Sequence, residues 1–97
     1  MATYIVLTNY TDQGIRTVKD TTKRADAVRD LAKKFGATVR EFYWTMGKYD
    51  LVVIFDAPDD AAMTALSLTI AQAGNVRTQT MRAFSRDEVN GMLAKVG

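Results

Sequence analysis

The chain of 97 residues contains no cysteine and no histidine. Without cysteine there is no disulfide framework, and nothing argues for an oxidising compartment. Lacking both residues, the chain has no Ser-His-Asp or Cys-His nucleophilic site and none of the usual zinc or copper ligand sets. Its glycines are scattered (Gly14, Gly36, Gly47, Gly74, Gly91). They form neither a G-x-G-x-x-G fingerprint nor a P-loop, so no cofactor and no metal are expected. No apolar run approaches the ~20 residues of a membrane span. The amino terminus, MATYIVLTNY, lacks the basic n-region and cleavage site of a signal peptide. The expectation is no membrane partner, with a cytoplasmic location as the default. A net charge of +2 is too small to imply a polyanionic partner.

What is present is an ordinary globular composition, 47% apolar and 25% charged, in a chain long enough for a single domain spanning residues 1–97. The stretch from Thr38 to Ala57, TVREFYWTMGKYDLVVIFDA, organises the rest. Two runs rich in β-branched and aromatic residues flank Gly47-Lys48, which reads as a β-hairpin with a two-residue type II′ turn. That loop sets Met46 opposite Tyr49, Trp44 opposite Leu51, Phe42 opposite Val53 and Arg40 opposite Phe55, on one face of the pleat. Tyr43 with Val52 and Glu41 with Ile54 fall on the other face.

Upstream, Thr3 to Asn9 reads as a strand apolar on both faces, and therefore interior. Thr11 caps a short helical turn weakened by Gly14. Lys23 to Phe35 reads as a helix with Ala25, Val28, Leu31, Ala32 and Phe35 on one stripe, stopped by Gly36. Downstream, Pro58 suits the first helical position, with Asp59 and Asp60 answering the helix dipole. This second helix carries no charge from Ala61 to Val76. Its small off-core residues fit either close packing against another chain or a weakly polar exposed face. Asn75 to Phe84 is an edge strand. Ser85 and Glu88 form a capping box ahead of Val89, Met92, Leu93 and Val96 at helical spacing.

The order β-α-β-β-α-β predicts an α+β ferredoxin-like fold with an extra C-terminal helix. Two helices cover one sheet face, and the short terminal helix cannot cover all of the other. That face is roughly 20 by 20 Å, or about 400 Å², and apolar patches of that size are uncommon on monomers. Covering it is worth at most ~10 kcal/mol per subunit before association costs. A homo-oligomer follows, a dimer or dimer-based assembly of the dimeric α/β-barrel type.

With acid-base and metal chemistry thinned out, Tyr10, Arg24, Tyr43, Trp44, Lys48, Tyr49 and Asp50 remain. Such a set can bind a small aromatic or polar ligand, or polarise a carbonyl. The candidate ligand-binding residues are Tyr10, Arg24, Trp44, Gly47, Tyr49 and Asp50. The plainer alternatives are that Trp44 and Tyr43 are sheet core, that Asp50 tethers the turn and that Tyr49 packs on Met46. The topology also serves RNA-recognition motifs, but Val6 stands where an aromatic would stack a base. Asp50 and Leu51 replace the small and aromatic positions of the second motif. Acid on the platform repels phosphate, so no nucleic-acid partner is expected.

Gly47-Lys48-Tyr49-Asp50, followed by LVVIFDAPDD and GNVRTQTMRAFS, resembles the GYD domain family of small prokaryotic proteins. The upstream TDQGIRTVKD, Arg24 and FYWTMG extend the likeness over nearly the whole chain. The resemblance implies a ferredoxin-like, oligomeric protein of largely undefined biochemical role. The hairpin and the stretch from Gly74 to Thr80 are also similar to effector domains of Lrp/AsnC-type regulators, which sense amino acids at subunit interfaces near that hairpin. No helix-turn-helix precedes the domain in this sequence, so a complete regulator is not expected. The function expected is an oligomeric small-molecule-binding or regulatory module. The alternatives are a cofactor-independent monooxygenase or isomerase of the dimeric α/β-barrel type, and a structural assembly protein.

Overall fold

A computed structural model describes residues 1–97. In chain order the elements are β1 (Ala2–Tyr10), α1 (Asp12–Arg16), a 3-10 turn (Val18–Asp20), α2 (Thr21–Lys34), β2 (Thr38–Trp44), β3 (Leu51–Ala57), α3 (Asp60–Gln72), β4 (Val76–Ala83) and α4 (Arg86–Leu93). The four strands form one antiparallel sheet in the order β2-β3-β1-β4. This is the ferredoxin-like arrangement, with the two most apolar strands, β1 and β3, at its centre.

Alternation along the central strands decides which face is covered. Tyr4, Val6 and Thr8 of β1, with Leu51, Val53, Phe55 and Ala57 of β3, are buried beneath α2 and α3. Ala25 and Ala32 of α2 and Met63 and Leu66 of α3 close this layer, and Phe55, Met63 and Leu66 are its largest fully enclosed side chains. Each such burial is worth about 2–3 kcal/mol, which is what holds the helices to the sheet. The opposite face carries Ile5, Leu7, Val52 and Ile54, all only half-buried, beside exposed Met81 and Tyr43.

Several local expectations are corrected. The hairpin register holds from Glu41↔Ile54 to Trp44↔Leu51, but the strands stop there. The connection runs from Thr45 to Asp50, closed by the Thr45 N–H donating to the Asp50 carbonyl at 2.8 Å, and is not a two-residue turn. Gly47 does take positive φ, +100°. A bulge at Arg40 puts Val39, not Arg40, opposite Phe55. The extra residue seats the valine in the core and sends the guanidinium to Asp56, 3.6 Å away. Pro58 lies one residue before the helix cap. Asp59 is the cap, its carboxylate accepting from the Ala62 N–H at 2.8 Å. Helix α2 begins two residues earlier than expected, and Gly36 ends it with φ +71°. The Ala37 N–H reaches the Ala32 carbonyl and the Gly36 N–H that of Lys33, which is a Schellman stop.

Gly14 has a purpose other than weakening its helix. A Cβ there would lie 1.9 Å from the Asn75 carbonyl oxygen, so only glycine lets α1 dock on the α3–β4 turn. Thr11 and Gln13 complete the dock with hydrogen bonds to Asn75 and Ala73.

Helix α4 has the capping box read from the sequence, Ser85 and Glu88 each bonding the other's backbone N–H. It covers none of the open sheet face. Every residue from Phe84 to Gly97 is exposed, and its tie to the body is the Arg82–Glu88 pair at 3.1 Å. The Cα radius of gyration, 14.6 Å, exceeds the ~13 Å of a compact chain of this length because this helix projects.

Candidate functional site

Strand β1 and helix α2 bring three of the candidate ligand-binding residues together. Tyr10 ends β1 on the helix-covered face, and its hydroxyl lies 2.9 Å from the Thr21 hydroxyl at the start of α2. Trp44, at the end of β2, donates its indole N–H to the same threonine at 3.0 Å. One turn along α2, the Arg24 guanidinium stands 5.9 Å from the Tyr10 ring centroid. Arg24 donates to the Thr17 carbonyl and hydroxyl, both at 2.9 Å, and to the Gly14 carbonyl at 3.1 Å. These acceptors lie in the last turn and C-cap of α1, so the cation ties the end of that short helix to α2. Trp44 is 44% exposed and packs on Phe42, ring centroids 5.0 Å apart, at the rim of the core rather than inside it.

The other three candidates lie elsewhere. The Asp50 carboxylate accepts the Tyr10 backbone N–H at 2.8 Å, while the Asp50 N–H bonds the Thr8 carbonyl at 2.9 Å. Asp50 therefore ties the hairpin connection to the end of β1, the plainer role considered for it. Tyr49 does not pack on Met46, which is 96% exposed. Its hydroxyl donates to Gln79 of β4 at 3.2 Å, and Lys48 lies over its ring at 5.6 Å. Gly47 forms the tip, with nothing within 4 Å of the position a Cβ would take.

Between α2, α3 and the sheet lies a cavity of about 210 Å³, lined by Tyr10, Thr21 and Arg24 at one end. Fourteen of its 21 lining residues are hydrophobic, and Arg24 alone is charged. No histidine, thiol or carboxylate lines it, and no cluster of three or more potential metal ligands exists in the molecule. Thr8 and Thr21 are its informative members, and sequence reasoning passed over both. A lone threonine in a strand or at a helix start carries no chemical signal until register shows what it faces.

The second exposed feature is the open sheet face. Its apolar centre of Ile5, Leu7, Val52, Ile54 and Met81 is rimmed by the Arg40–Asp56 pair, Glu41, Arg77 and Gln79. Tyr43 at its border donates to Glu41 at 3.1 Å, a bond that raises the phenol's pKa. Helix α3 adds an uncharged outer side on which Leu68 is 64% exposed. Helix α4 adds Val89, Met92 and Leu93, and Val96 follows it, from 38% to 70% exposed. No helix is long and apolar enough to cross a membrane.

The profile of the GYD domain family matches residues 4–93, and the chain belongs to that family. It is similar to a protein of Thermus thermophilus named glutamine synthetase and cystathionine beta-lyase binding protein, with 36% identity over 85 residues. The match covers 87% of this chain and 90% of that protein.

Proposed function

We propose that this GYD-domain protein is a homo-oligomeric regulatory module that acts by docking on a partner enzyme. The observation that carries the reading is the amount of apolar surface left uncovered on three elements: the open sheet face, the outer side of α3 and the stripe on α4. Exposed apolar surface of this kind on a small chain marks interaction surfaces. The name of the Thermus relative supports protein partners, a class that the residues by themselves did not suggest. In this reading two protomers join through their open sheet faces and present α4 to the enzyme. The reading is tested with purified glutamine synthetase and cystathionine beta-lyase from the same cells, by calorimetry or interferometry. Saturable binding is expected for at least one enzyme, weakened about tenfold by the pair Val89→Ser and Met92→Ser. No binding at micromolar concentration to either enzyme would count against it.

A second reading, small-molecule binding, is favoured by the cavity between helices and sheet. The two are compatible, because a ligand held under α2 and α3 can bias the surface those helices present. Catalysis has less support, since no histidine, thiol or carboxylate lines the cavity to activate its hydroxyls.

A further inference from the structure

Protein interiors are packed as densely as organic crystals, and voids larger than a water molecule are few. The pocket of about 210 Å³ between the helices and the sheet, open to the surface, leaves part of this layer unfilled. An apolar cavity of ~150 Å³ accepts benzene, so this one accommodates a ring and a short arm. It reaches the surface at Ala27 and Ala73, which line it and are exposed.

Its polar atoms are incompletely matched. Thr8 is the one polar side chain among the buried residues, 5% exposed. Its side chain lines this cavity, and its backbone carbonyl is engaged by the Asp50 N–H. Two residues along the same face, the Tyr10, Thr21 and Trp44 chain has a donor left over. The indole N–H goes to Thr21, and a single O–H suffices for the Tyr10–Thr21 bond, so the other O–H is free. Arg24 uses three of its five N–H donors on Thr17 and Gly14 and has no carboxylate partner. Its charge is the only one lining the cavity.

An apolar chamber with one cation that has no carboxylate partner and a free hydroxyl donor is complementary to an amphipathic anion. We infer that this cavity binds a small carboxylic acid with an apolar, ring-sized body, its carboxylate directed to Arg24 and the Tyr10–Thr21 hydroxyls. The body lies among Val6, Val28, Leu31 and Phe42. This rests on the small-molecule reading above and specifies its ligand class.

Phenylpropionate and its neutral counterpart phenylpropanol are the probes, titrated into the unaltered protein and followed by amide NMR. The acid is expected to bind about tenfold more tightly than the alcohol, the increment of one charge-assisted contact. Its shifts should centre on Thr8, Thr21, Arg24 and Val28. Arg24→Met should bring the acid down to the alcohol's affinity, and Arg24→Lys should keep most of the preference. Thr8→Val, which leaves the α1 cap intact, should weaken both probes without unfolding the chain. Equal affinity of acid and alcohol at these residues would overturn the ligand class while leaving a small-molecule site. Absence of binding by both probes, or shifts confined to Ile5, Leu7 and Ile54 on the open sheet face, would overturn the site itself.

Discussion

Tyr4 shows how one buried hydroxyl joins the sheet to a helix terminus. It is 3% exposed, and its O–H donates to the Asp60 carboxylate in the first turn of α3. Burial, reinforced by that bond, pushes the phenol up to about 12 from 10.0. Between these values the folded chain keeps a proton that the unfolded chain has lost. The contribution is therefore complete below pH 10 and is lost as pH rises through about 12. Two pH units correspond to about 3 kcal/mol at most. Denaturant unfolding from pH 8 to 12 should show the native chain losing stability relative to Tyr4→Phe by that order, and parallel curves would refute the assignment. At neutral pH, Tyr4→Phe should cost about 1.5–3 kcal/mol, the worth of a hydrogen bond to a charged acceptor. None of this was legible in the residues: Tyr4 read as one more apolar position in an alternating strand. Its partner sits 56 positions away. Gly14 misled for a related reason, since local propensity counts its flexibility as a cost and the Asn75 carbonyl that requires it arrives from the far end of α3.

At the scale of elements, the stops and caps were legible because they are local. Gly36 and Gly47 take the positive φ expected of them, and Ser85 with Glu88 forms its box. The hairpin register was readable over four pairs, because β-branched and aromatic residues must alternate toward a core. The bulge was not readable, since burying Val39 in place of Arg40 depends on where Phe55 already stands. Helix α4 permits a test at this scale. The Ser85 backbone N–H, and then Arg82, hold the Glu88 carboxyl below its ordinary value of 4.5. A lowered folded value means that the cap is complete above the ordinary glutamate range and is lost as pH falls through the lowered one. Amide NMR should show residues 86–93 losing helical shifts as pH falls below the ordinary glutamate range, while β1 and β3 keep theirs. Glu88→Gln should make that segment's helicity insensitive to pH in this range. Loss of α4 and the sheet in a single transition would mean that the helix is packed on the body after all.

At the scale of the whole molecule, the sheet is enclosed on one side and open on the other. The shortest dimension, 18 Å, is that of a single layer of sheet and helix. Fold class and topology followed from element order and from the two strands apolar on both faces. Of the six candidate residues, Tyr10 and Trp44 meet at Thr21 with Arg24 over the Tyr10 ring, whereas Gly47 and Asp50 lie in the hairpin connection and Tyr49 reaches Gln79 of β4, a grouping that the residues alone did not reveal. Proximity across a fold is set by register and helix docking, which a residue list does not contain. If the open faces join two protomers, the melting temperature should rise with protein concentration. Ile54→Lys should abolish that dependence and yield a species of monomer mass on sedimentation. A monomer at micromolar concentration in the unaltered protein would exclude the assembly. The projecting helix has one more consequence. Because nothing after Phe84 contributes a buried side chain to the body, mutation can rewrite the tail without disturbing the fold, so if the tail docks a partner, that partner can change while the scaffold stays constant.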